Sequence, residues 1–136
     1  MENSNLSAGK AGKIIYWVST LWLALGMLSS AIVQLMKMDE EVQMFTHLGY
    51  PVYFLILLGV WKISGVIVIL LPGLPLLKEW AYAGFFFAMS GAVFSHVALG
   101  DDVKDLFGPV LLLVLTILSW YFRSADRKIT AVKSMP

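Results

Sequence analysis

The sequence predicts an all-α membrane protein, four transmembrane helices packed as an antiparallel bundle, and three observations carry that prediction. Apolar residues make up 59% of the 136-residue chain and charged residues only 14%. The mean hydropathy is +0.79. The apolar residues also gather into four runs separated by short polar stretches. A water-soluble domain is about 45–50% apolar and about 25% charged, so this chain lacks the polar groups to cover its own surface. Lipid must cover the rest.

The runs are Ile14–Met36, Pro51–Leu71, Glu79–Leu99 and Phe107–Phe122. A helix crossing the hydrocarbon core needs about 20 residues. The first three meet that length, and the fourth reaches it if its flanks extend by a turn. Each should be helical, because lipid offers no partner to backbone N–H and C=O groups. A β-barrel would need more, shorter and alternating strands than this length holds. The chain thus divides into a polar tail (1–13), a membrane domain (14–122) and a basic tail (123–136). The first run is longer than a cleaved signal's apolar core and is expected to be a retained span.

Pro51 and Pro109 fall near the expected first turns of the second and fourth spans, where a missing N–H costs little. Pro72-Gly73-Leu74-Pro75 forms a tight turn between the second and third. Lys37–Tyr50 and Gly100–Asp105 read as polar connectors. With four spans, the termini share a side with Lys78. That side holds Lys10, Lys13, Lys78, Arg123, Arg127, Lys128 and Lys133, seven cations against Lys37 and Lys104 opposite. Such an imbalance places both termini in the cytoplasm, as in a multi-pass protein of the inner membrane. Tyr16, Trp17, Trp80, Tyr82, Trp120 and Tyr121 would mark the cytoplasmic interface, and Tyr50 and Tyr53 the other.

Small residues mark where helices can approach closely. On the third span Ala81, Gly84, Ala88, Gly91, Ser95 and Ala98 follow steps of three and four, which nominates that span as the packing hub. Gly59 and Gly65 flank Lys62 on the second span, and Gly26, Ser30 and Gln34 line one face of the first.

Composition excludes several functions. A net charge of +1 gives no basic face for nucleic acid. The absence of cysteine removes disulfides, thiolate metal sites and thiol redox chemistry. No carboxylate stands at metal-ligand spacing from His47 or His96, and no phosphate loop or nucleophile elbow is present. No catalytic residue or metal ligand is therefore nominated.

The candidate site rests on intramembrane polar groups. A lysine at mid-span costs about 2.5–3.5 kcal/mol on insertion scales, so Lys62 needs a partner or a purpose. Glu79, on the next span about five residues nearer the cytoplasm, is a partner its long stem can approach. Lys62 and Glu79 then form either a structural ion pair or part of a ligand-binding or proton-handling site. Gln34, Ser95 and His96 lie at similar depth near the outer ends of their spans. They form either a binding cluster, in which His96 donates to a quinone or carbonyl oxygen, or interhelical hydrogen bonds. His47 is expected to be solvated.

Four stretches also resemble a known family: Lys62-Ile-Ser-Gly65, Leu70-Leu-Pro72, Lys78-Glu-Trp-Ala-Tyr-Ala-Gly84 and Gly91-Ala-Val-Phe-Ser-His96. Together they look like the DoxX-like family, with the resemblance running over about residues 13–122. It implies a four-span α-helical inner-membrane protein, usually bacterial. The wider group includes a membrane subunit of a thiosulfate:quinone oxidoreductase, partners of redox enzymes, and animal relatives that assist receptor assembly.

Two functions remain open. One is a non-catalytic partner or assembly factor whose small-residue seam meets other membrane or redox proteins or a second copy of the chain. The other is a quinone- or lipid-binding subunit of an oxidoreductase system. The chain has no recognisable redox centre, so electrons would come from a partner or a bound cofactor, which favours the first. A transporter is less favoured, since no inverted repeat is evident.

Overall fold

The computed structural model of the chain describes residues 2–124, 127 and 128, with side chains from residue 9 onward. Of the expected basic tail, only Arg123, Ser124, Arg127 and Lys128 are among them; Lys133 lies outside the described residues. The described residues contain five helices and no strand: α1 (Glu2–Leu35), α2 (Asp39–Leu48), α3 (Tyr53–Leu70), α4 (Pro75–Ala98) and α5 (Val103–Tyr121). Four are long and apolar enough to cross a membrane: Gly9–Leu35 of α1, then α3, α4 and α5. Their outward faces carry large exposed apolar side chains, among them Trp22, Trp61, Phe87 and Phe94. In water such a surface would aggregate; in lipid it is the solvated face. The molecule is a multi-pass membrane protein.

α1 packs against α3 and α5, and α4 packs against the same two from the opposite side. The spans thus form a square in the order α1, α3, α4, α5, with α1 and α4 across a diagonal. The core is built from Leu23, Ala24 and Met27 of α1, Val66 and Ile69 of α3, Tyr82, Phe85 and Met89 of α4, and Leu115 of α5.

Three of the four spans start earlier than hydropathy indicates, while α3 starts two residues later, at Tyr53, leaving Pro51 just outside it. α4 begins at Pro75, whose fixed φ and missing N–H suit a first helical position. Gly73 and Leu74 turn the chain into it with φ of +70° and +55°. α5 begins at Val103, so its 19 residues suffice for a span. Pro109 consequently lies inside α5 rather than in its first turn. There it leaves the carbonyl of Asp105 without its usual intrahelical donor.

α2 occupies the segment expected to be a polar connector. Asp39, Glu40 and Glu41 fill its first turn, where carboxylates complement the helix dipole. Gly49, at φ +87°, ends it, and the N–H groups of Gly49 and Tyr50 return to the carbonyls of Thr46 and Phe45. Its buried residue, Phe45, faces Tyr50 and Phe54.

The packing hub is α1, which buries more of its length than any other span. α3 approaches α1 at Gly59, where an added Cβ would lie 2.8 Å from Leu35. It approaches α4 at Gly65, where a Cβ would lie 2.6 Å from the Phe85 ring. Gly26 meets Leu112 of α5 in the same way at 2.7 Å. Gly84 and Gly91, by contrast, have no heavy atom within 4 Å of where a Cβ would stand, and Ala88 is half-buried. The glycines of the α4 seam are therefore not points of close approach between helices of this chain, whereas Ala81 and Ala88 pack against the core. Gly91 borders the cavity between the spans, and Tyr82, Phe85 and Met89 are the buried apolar side chains of α4.

Candidate functional site

The polar side chains separate along the bundle axis into two groups. Nearer the termini, Ser119 of α5 bonds to Thr20 of α1 at 2.5 Å and to Tyr82 of α4 at 2.8 Å, tying three helices together. Lys78 is fully buried, and its ammonium donates to the carbonyls of Val68 and Leu71, the unpaired C-terminal carbonyls of α3. Glu79 accepts from Arg123 Nη2 at 2.5 Å and from Trp120 Nε1 at 3.1 Å. The Arg123 guanidinium also lies over the Trp120 ring, 4.7 Å from its centroid. Arg127 stands over Tyr16 and Trp17 of α1.

Two expectations are corrected at this end. Glu79 is not the partner of Lys62: it turns toward the start of the C-terminal tail, where Arg123 provides a bidentate-capable cation at shorter range. Tyr16 and Tyr82 are buried rather than interfacial, the Tyr82 hydroxyl having an intramembrane partner in Ser119. Trp17, Trp80, Trp120 and Tyr121 do remain exposed.

Nearer α2 the four spans part around a cavity of about 450 Å³. Its polar lining includes Ser30 and Gln34 from α1, Glu41 from α2, Lys62 from α3, His96 from α4 and Asp105 from α5. Apolar walls come from Phe54, Leu58, Phe87, Met89 and Leu112 among others. The size falls within the range of small-molecule sites, about 300–1,000 Å³.

Each polar group reaches the cavity for a local reason. Lys62 sits on the inward face of α3, three residues from Gly59 and Gly65, and its ammonium donates to Ser30 Oγ at 2.7 Å. The contact is to α1, not α4. Gln34 is one turn beyond Ser30 on the same face of α1 and is 3% exposed. Its Oε1 has no hydrogen-bond partner among the described residues. Glu41 Oε2 is likewise buried and unpartnered among them.

Around the rim, Asp101 joins the two histidines of the chain. Its Oδ2 is 2.7 Å from His96 Nδ1 and its Oδ1 2.8 Å from His47 Nε2. This carboxylate links the end of α2 to the end of α4. The hydrogen bonds from His47 and then His96 hold the Asp101 carboxyl below the usual carboxylate range. His47 is thus a paired residue, not merely a solvated one. Ser95 lies outside the cavity lining: its hydroxyl donates to the Gly91 carbonyl and meets the Tyr50 hydroxyl at 2.7 Å.

Of the five nominated binding residues, the fold brings Lys62, Gln34 and His96 to one cavity, sets Ser95 beside it and sends Glu79 to the far end of the bundle. Sequence reasoning missed Ser30 as the partner of Lys62, although its four-residue spacing from Gln34 was visible. It also missed Glu41 and Asp101, read as loop acids. Among the described residues no group of three or more His, Asp or Glu side chains is arranged to hold a metal ion.

A four-span helical bundle with a mixed polar and apolar cavity between its helices defines the class: a small polytopic membrane protein with a binding-sized space. The chain belongs to the DoxX-like family, whose model matches residues 18–119. No curated protein and no solved structure matches it.

Proposed function

We propose that the protein is a ligand-binding membrane subunit, holding one amphipathic molecule of the quinone or lipid class in the cavity between Lys62, Gln34 and His96. The observation that carries this reading is the buried Gln34 Oε1, without a hydrogen-bond partner among the described residues, in a cavity that also gathers Lys62 and His96 between apolar walls. A buried polar group without a partner costs about 1–3 kcal/mol, and a group placed so as to remain dry needs a reason. A bound head group supplies one. The cavity opens among helices whose outer faces are apolar, so a molecule dissolved in the bilayer has a route to it.

The test is native mass spectrometry after mild detergent extraction. The wild-type chain is expected to carry a co-purifying quinone or lipid, and Lys62→Met to release it. Ala92→Phe, which fills the cavity from α4, should empty it as well. Unchanged occupancy in Ala92→Phe would remove the cavity from the function.

A second reading is favoured by α4, whose Gly84 and Gly91 leave room for a foreign helix backbone. On that reading the protein docks a membrane or redox partner, or a second copy of itself, along this stripe. Gly84→Leu, on the same stripe but away from the cavity, should then abolish the complex while leaving ligand occupancy intact. For orientation we place the termini in the cytoplasm, on the seven-to-two cation imbalance across the membrane. A cysteine introduced at Ser4 of this cysteine-free chain should be protected from impermeant thiol reagents in intact cells.

A further inference from the structure

The cavity's unsatisfied groups restrict the chemistry of what fills it, and the following rests on the cavity being a ligand site. We infer that the ligand carries a neutral hydroxyl head, an alcohol or a phenol, on an apolar body, with the hydroxyl seated between Gln34 and Lys62.

The donors and acceptors around the cavity set these terms. Gln34 Oε1 and Glu41 Oε2 are acceptors without donors. Lys62 has one hydrogen bond, to Ser30 Oγ, and an ammonium offers three donors. His96 Nδ1 is committed to Asp101, and the Tyr50 hydroxyl to Ser95. A head that only accepts, such as an ether, ester or ketone oxygen, can accept a hydrogen bond from Lys62 but leaves Gln34 Oε1 and Glu41 Oε2 without a donor, so within the quinone class the fitting form is the reduced quinol. An anionic head meets the carboxylates of Glu41 and Asp105. A cationic head supplies donors but faces the Lys62 ammonium in an apolar enclosure, where like charges repel strongly. The cavity sets one ammonium, Lys62, against two carboxylates, Glu41 and Asp105, so a head of either charge meets a like charge and a neutral head meets none. A hydroxyl donates once and accepts from Lys62. It also serves either end of the Gln34 amide. The remaining wall, formed by Phe54, Leu58, Phe87 and Leu112, suits an aromatic or alkyl body.

The experiment uses para-nonylphenol and three analogues of the same body, bearing methoxy, carboxylate and aminomethyl heads. Each competes against tritiated para-nonylphenol on the full chain in phosphatidylcholine nanodiscs, with empty nanodiscs subtracted and concentrations expressed per bilayer lipid. The phenol is expected to bind about tenfold more tightly than its methyl ether, the yield of one buried hydrogen bond. Gln34→Leu should bring that ratio to about one while keeping the ether's affinity, which also shows that the variant is folded. Ala92→Phe should abolish saturable binding of both. A wild-type ratio near one, or preference for a charged head, with binding still lost in Ala92→Phe, overturns the hydroxyl and leaves the cavity reading standing. A phenol preference that survives Gln34→Leu overturns the seat proposed for it. If no probe binds saturably, or Ala92→Phe binds as wild type does, the cavity reading itself fails and this inference with it.

Discussion

In the half of the bundle nearer the termini, Thr20, Ser119 and Tyr82 satisfy one another across three helices and Lys78 closes the end of α3, with the Tyr16 hydroxyl and Arg123 Nε left outside that network. In the half nearer α2, Gln34 and Glu41 are buried with acceptor atoms unpaired around an open space, and Lys62 makes a single hydrogen bond. Both halves bury polar side chains in a setting where an unpaired group is expensive. Their difference separates two uses of intramembrane polarity. A closed network fixes helices to each other, as interhelical hydrogen bonds do in lipid. An open one stores unmet bonding capacity for something that comes and goes, at some cost to stability. Two buried lysines, Lys62 and Lys78, fall on opposite sides of this division.

That contrast gives the largest expected effect. Replacing Lys78 by Met keeps the apolar stem but leaves the Val68 and Leu71 carbonyls dry, which should cost about 3 kcal/mol. Lys62→Met removes one bond to a serine hydroxyl beside a cavity and should cost less than about 1 kcal/mol. Reversible unfolding in mixed micelles measures both. Equal losses would mean that the two lysines have the same structural role and that the halves do not differ.

A smaller effect sharpens the comparison at hydroxyl and amide positions. Ser119→Ala deletes the central member of the three-helix network and should destabilise by about 1–2 kcal/mol. Gln34→Leu breaks no hydrogen bond and should leave the empty protein unchanged or up to about 1 kcal/mol more stable. The same micelle unfolding decides it. A destabilised Gln34→Leu would show that its amide is already satisfied.

The four spans were legible in the sequence because bilayer thickness and backbone bonding admit so few arrangements. What could not be read was helix rotation. In a soluble bundle the polar face marks the outside, but here the outward face of α3 is as apolar as its core. The depth argument that matched Lys62 with Glu79 therefore had no way to tell that Lys62 faces α1, where Ser30 stands. The stripe on α4 misled for the same reason: small residues at seam spacing show that a helix can be approached, not that one of its own neighbours does so. The helix α2 was legible in principle. Three acids in a row, apolar Val42 and Phe45 at three-residue spacing and Gly49 at the end are start, face and stop signals of a short helix. Its acids gave it the look of a loop.

The smallest expected effect concerns the link that holds α2 over the open half. Asp101 accepts from His47 and His96, and these bonds lower its carboxyl pKa on folding. A group whose folded pKa is depressed stabilises the fold above its unfolded pKa, near 3.9, and loses that contribution as pH falls through the folded value. The link should therefore be intact above the unfolded carboxylate range and release only as pH falls below it. Hydrogen exchange of the α2 amides across that range is the measurement. In the wild-type chain protection of Met44–Leu48 should fall on acidification, whereas in Asp101→Asn it should start lower and stay level. Because α2 supplies Glu41 and Phe45 to the cavity, release of this clamp should also speed ligand exit. If α2 protection falls with acid equally in wild type and Asp101→Asn, the Asp101 link is not what holds α2 in place.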